Sequence, residues 1–119
     1  MKLRRKRRTT ILPRGVSRVA LRKVPTDTII ETVCYYMGIH KEDLSIETRL
    51  QKIVESRQLI LYFMSLKPIS WRAVGESIGM DHATAYYSRT LIENRMATYR
   101  SYYHRVYDLS RIIEKTTAL

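Results

Sequence analysis

With 119 residues, 45% of them hydrophobic, the chain is sized for one small core and an extension rather than for two full domains. Residues 1–25 hold ten Lys/Arg and no acid, so the net charge of +11 belongs almost wholly to the start; the remainder carries 12 basic against 11 acidic residues. Such a run fits a polyanion far better than an acidic small substrate, because each neutralised phosphate releases condensed counterions.

Two other readings fit the same basic start. One is a solvated tail that only aids solubility. The other is an organellar transit peptide, against which Pro13 and Gly15 count because they interrupt an amphipathic helix. No apolar core of a secretory signal is present, and no segment approaches the roughly 20 apolar residues that span a bilayer. A soluble, cytoplasmic protein without a membrane partner is expected. The lone Cys34, between Val33 and Tyr35, suits a buried, inert thiol and permits no disulfide within the chain.

Taken in order, residues 1–25 read as a basic arm, with Leu3 to Val24 lacking fixed structure, and residues 26–119 as the folded domain. Thr28 and Glu31 fit a capping box, Ile29, Ile30, Val33 and Tyr36 give a first apolar face, and Gly38 closes that helix. His40 to Leu44 reads as a short helical turn, with Ser45 able to cap the next helix. A long helix is expected from about Glu47 to Leu66, with Leu50, Ile53, Val54, Ile60, Leu61 and Met64 in one arc. Arg57 falls in the middle of that arc, where a guanidinium is expensive unless it snorkels out or finds an anion: an ion pair with a nearby acid such as Glu76 or Asp81, or a bound phosphate. Pro68 ends the helix.

Ser70 then caps a segment with Trp71, Val74 and Ile78 at helical spacing, Gly79 supplies a tight turn, and Asp81-His82-Ala83-Thr84 opens another helix running to about Arg95. Helix N-termini present free backbone N–H groups and partial positive charge, so a helix opening on short polar side chains can hold a phosphate and probe base edges together. A last helix, about Thr98 to Lys115, carries Tyr99, Tyr103, Val106, Tyr107, Leu109, Ile112 and Ile113. The fold class expected is all-α: a small helical domain with a helix-turn-helix, five or so helices and no sheet, plus the basic N-terminal arm.

In this order and spacing, Arg49 followed eight residues later by Arg57-Gln58, then Ser70-Trp71-Arg72-Ala73-Val74-Gly75, then Asp81-His82-Ala83-Thr84, resemble the C-terminal DNA-binding domain of the bacterial replication initiator DnaA, over residues 26 to about 114. The resemblance implies a nine-base box ending in a CACA-like half as the ligand. It implies that Arg49 enters an A·T-rich minor groove, where negative potential concentrates. Asp81 and His82 would meet base edges in the major groove, and Ala83 stands where a Ser or Thr packs on a thymine methyl. Arg57, Gln58, Thr84 and, in the turn, Lys67 match residues set against phosphates; the backbone N–H of Trp71, near a helix start, is placed for another. Met80 stands where the family usually has arginine, and the turn is one residue shorter. The family's ATPase motif, a glycine-rich loop ending in Gly-Lys-Ser/Thr, is absent from these residues, so nucleotide-driven melting of an origin is not expected. In its place stand Arg4, Arg5, Lys6, Arg7 and Arg8, an arm suited to non-specific phosphate contact.

Asp81 and His82 are adjacent, which on a helix turns them about 100° apart, so they do not form a carboxylate-imidazole pair. With no other nucleophile or paired-carboxylate constellation, no enzyme activity, cofactor or small-molecule substrate is expected. His40 and His104 lack metal-ligand spacing, so no metal is expected either. The tyrosines read as core or interface packing, with one of Tyr86 and Tyr87 turned inward and the other near a phosphate. The function expected is sequence-specific binding of double-stranded DNA, as a replication accessory or transcription regulator, with a phage or mobile element as one candidate source. The alternative is an RNA-binding or ribonucleoprotein component dominated by the arm.

Overall fold

The computed structural model describes residues 9–116. Helix α1 spans Arg18–Arg22, α2 Thr26–Met37, a 3₁₀ turn Lys41–Ser45, α3 Gln51–Met64, α4 Trp71–Glu76, α5 His82–Thr98 and α6 Arg100–Thr116. No strand occurs among the described residues, and none of their helices is long and apolar enough to cross a membrane.

Helix α3 is the axle. From Leu59 to Met64 every side chain is buried regardless of face, the pattern of a helix surrounded by others rather than laid on a surface. It packs on α2, α4, α5 and the 3₁₀ turn, while α6 closes against α2 and α5. The core joins Ile29, Ile30 and Val33 of α2, Leu59 to Met64 of α3, Val74 of α4, Ala85 and Ile92 of α5, and Val106, Leu109 and Ile113 of α6. Cys34 is buried and its thiol is pushed up by that burial, as an inert packing residue would be.

Three boundaries differ from those expected. Helix α2 begins at Thr26 rather than after a Thr28 cap: Pro25, at φ −59°, occupies the cap position and its carbonyl already accepts from the N–H of Ile29 at 3.1 Å. Gly38 closes it in the left-handed conformation as expected. Helix α3 begins at Gln51, not Glu47, so residues 47–50 form an extended lead-in and Leu50 is 65% exposed instead of buried. The last helices are separate but nearly continuous, with Tyr99 as the joint.

The largest difference lies in residues 9–24, expected to lack fixed structure. They form a strap laid across the body. Thr10 is buried with its hydroxyl 2.7 Å from that of Ser65. Ile11 donates its N–H to Glu93 Oε2 at 2.7 Å and accepts from the Tyr62 hydroxyl at 2.5 Å. Arg14 N–H meets the Tyr103 hydroxyl at 2.9 Å and Ser17 N–H meets Glu114. Ser17 then caps α1, which seats Leu21 in the core, followed by Val24.

Candidate nucleic-acid interface

Helix α4 starts at Ser70, whose hydroxyl accepts from the Ala73 N–H at 3.1 Å, the geometry that satisfies one orphan donor of a helix start. It stops at the turn to α5 because the chain doubles back almost onto it. A Cβ on Gly75 would lie 2.4 Å from the Met80 carbonyl oxygen and 2.6 Å from that of Asp81, so only glycine lets the two helices approach this closely. Gly79, at φ +72°, makes the reversal, and the Met80 N–H returns to the Gly75 carbonyl at 2.8 Å.

Asp81 is the N-cap of α5: its Oδ1 accepts from the Thr84 N–H at 2.7 Å. That bond, with the Thr84 hydroxyl next, holds its carboxyl below the usual aspartate range although the residue is exposed. The anionic cap sits where the helix presents partial positive charge, and the residue is exposed to an incoming donor. His82, Ala83 and Thr84 are likewise exposed. The opposite stripe of α5, Ala85, Ser88, Arg89, Ile92, Glu93 and Met96, faces inward, so burial of one side of the helix orients the other outward.

Arg49 lies on the extended lead-in to α3, exposed and with no ion-pair partner among the described residues. A cleft of about 350 Å³ separates its loop from the turn: Ile46, Glu47 and Thr48 form one wall, Ile78, Gly79 and Met80 the other. Arg49 and Asp81 follow these walls directly in sequence, so the Arg49 loop and the polar turn of α5 border one cleft.

Arg57 stands in that cleft, and the structure gives it neither of the ion pairs weighed from sequence. Its Nε donates to the Leu44 carbonyl at 2.9 Å and its Nη2 to that of Ile46. It thereby caps the 3₁₀ turn and braces the loop that carries Arg49. Gln58 accepts from Arg95 Nη1 at 3.2 Å, a bond inside the protein. Lys67 spends its ammonium on the carbonyls of Arg22 and Val24, holding the end of the strap, and burial lowers its pKa. Trp71 is half-buried and meets Tyr86 edge to face at 5.3 Å. Arg4, Arg5, Lys6, Arg7 and Arg8 lie outside the described residues.

Two further residues of consequence were not among the expected site residues. Tyr87 is the outward member of its pair, 63% exposed in the second turn of α5. Arg89 is fully buried, its guanidinium 4.8 Å from the Trp71 ring and 5.1 Å from Tyr86, with Glu93 at 3.6 Å and the Thr9 carbonyl at 3.4 Å. It ties α4, α5 and the strap together at one point. The i, i+4 spacing of Arg89 and Glu93 on the stripe of Ala85, Ser88 and Ile92 was the available signal.

A capped helix of seventeen residues, crossed at its start by a shorter one through a glycine turn and presenting short polar side chains outward, defines a helix-turn-helix protein of the DNA-reading class. Residues 26–92 match the family model for the bacterial dnaA protein helix-turn-helix, and the chain belongs to that family. The strap and α6 lie outside the matched residues.

Proposed function

We propose that this protein recognises double-stranded DNA by sequence, acting as a replication accessory or transcription regulator through binding, without ATPase or other catalytic activity and without a cofactor. The observation that carries the reading is the joint exposure of Asp81, His82, Ala83 and Thr84 on the first turn of α5, across one cleft from the Arg49 loop. Asp81 is suited to accept from a cytosine amino group, His82 to donate to a base acceptor or a phosphate, and Ala83 to touch a thymine methyl. Arg49 is suited to an A·T-rich minor groove alongside. Phosphate contacts fall to Thr84 and the N-terminal backbone of α4 at Trp71. Arg57 serves chiefly by fixing the Arg49 loop, with its remaining N–H groups turned to a phosphate.

The test compares a duplex carrying an A·T-rich box with a CACA-type half against a scrambled duplex. His82→Ala is expected to cost about 1–3 kcal/mol on the box and much less on the scramble. Wild-type protein binding both duplexes equally, with the same loss or none in the variant, would overturn the reading and favour arm-driven RNA binding.

A further inference from the structure

Two adjoining hollows open beside the N-terminal half of α3, on the helix face turned away from Arg57. The smaller, about 320 Å³, lies among Arg95, Tyr99 and Tyr102. The larger, about 540 Å³, reaches Tyr36 and Lys52. Gln51, Glu55 and Arg105 line both and make them one groove.

Its charge is uneven. Three cations, Lys52, Arg95 and Arg105, face one carboxylate, Glu55, which is nearly buried and already taken by Arg105 Nη1 at 2.9 Å. Residues 9–119 hold 16 basic against 11 acidic residues, and the groove sets three of those cations against a single carboxylate. The Tyr102 ring is flanked by both guanidiniums, 5.5 Å from Arg95 and 5.9 Å from Arg105. Its hydroxyl is buried beside Arg95 and Glu55, and burial pushes it up to about 12, which keeps it protonated. Tyr99, 60% exposed, and Tyr36 supply the apolar part of its lining.

We propose that this groove docks an acidic segment of a partner protein, with carboxylates taken by Arg95, Arg105 and Lys52 and apolar side chains by Tyr36 and Tyr99. Hollows of this size admit side chains, whereas a duplex is too broad to enter them, and apolar rims serve peptide anchors rather than phosphates. Thirteen residues separate His82 from Arg95, about 20 Å along α5. On α3, Glu55 and Arg57 point about 200° apart. DNA and the peptide are therefore bound at the same time. The proposal does not depend on which duplex sequence α5 reads.

The experiment titrates the ¹⁵N-labelled full chain with the capped peptide Glu-Asp-Phe-Leu-Asp-Glu and with its Gln/Asn counterpart, alone and with a box duplex present. Amide shifts are expected at Lys52, Tyr99, Ser101 and Tyr102, stronger with the acidic peptide and retained with the duplex. Lys52→Glu, a surface change, is expected to weaken the peptide about twofold to fivefold while leaving thermal unfolding and box binding unchanged; Tyr99→Ala serves as the second variant. Shifts confined to residues 2–8 or to the start of α5, equal response to both peptides, insensitivity to Lys52→Glu, or displacement by the duplex would each overturn the proposal, the last by giving the groove to nucleic acid.

Discussion

Asp81 caps α5 with the same carboxylate that the proposed function offers to a base, and the two roles separate by substitution. Asparagine keeps a carbonyl oxygen for the Thr84 N–H and remains a good N-cap, but its amide loses the charge and one acceptor offered to a cytosine. Asp81→Asn should therefore fold with α5 intact and lose preference for the box over a scramble in a binding titration. The same pair gives a pH prediction. Because the folded carboxyl titrates below its ordinary value, its contribution is complete above the usual aspartate range, near pH 4, and is lost as the pH falls through the depressed folded value. Thermal unfolding followed from about pH 5 downward should fall more steeply for wild type than for Asp81→Asn. Arg89 sits at the opposite extreme of exposure. Removing one partner of a buried pair strands the other, so Arg89→Met should cost about 3–5 kcal/mol in denaturant unfolding, and the double change with Glu93→Leu should cost less than the single one.

At the level of helices, the α4–α5 crossing depends on a missing side chain. Gly75→Ala sets a methyl against two backbone carbonyls that cannot rotate away, and overpacking of this kind costs typically about 1–3 kcal/mol. Relief requires Met80 and Asp81 to move, so box discrimination should fall beyond what reduced stability explains, measured at a temperature where the variant is fully folded. This crossing was legible in the sequence because its signals act over a few residues: the Ser70 cap, the Gly79 reversal and the Asp81 cap each set backbone next to themselves. Leu50 misled because apolar periodicity runs on past the point where a helix begins; the lead-in at residues 47–50 breaks the phase that the arc assumed. Arg57 was flagged correctly as needing an acceptor, but the acceptors are main-chain carbonyls of the 3₁₀ turn, and no side-chain pattern announces those. The inward stripe of α5 held the sign of Arg89 and Glu93 in plain spacing, whereas the aromatic rings over Arg89 follow only from how α4 crosses.

Over the whole molecule, the folded body reaches back at least to Thr9, well before Pro25. Composition hid it, since Arg14, Arg18, Arg22 and Lys23 continue the basic run through a segment whose partners on the body lie 43 to 97 residues away. Two truncations should accordingly differ in kind. Removing residues 1–8 takes six cations and should lower DNA affinity and the salt slope, by up to about 0.9 for each phosphate no longer neutralised, with box preference and the unfolding midpoint retained. Removing residues 1–24 also strips the partners of Tyr62, Glu93 and Lys67, and should lower the midpoint and box preference together; a truncation to residue 25 that unfolds at the wild-type temperature would contradict the strap. Ser17 meets Glu114 and Arg14 meets Tyr103, which sets an order on assembly during synthesis. Residues 9–24 leave the ribosome well before α6 yet find their last anchors only when that helix has emerged, so a nascent chain stalled before α6 holds α5 without the full brace behind it.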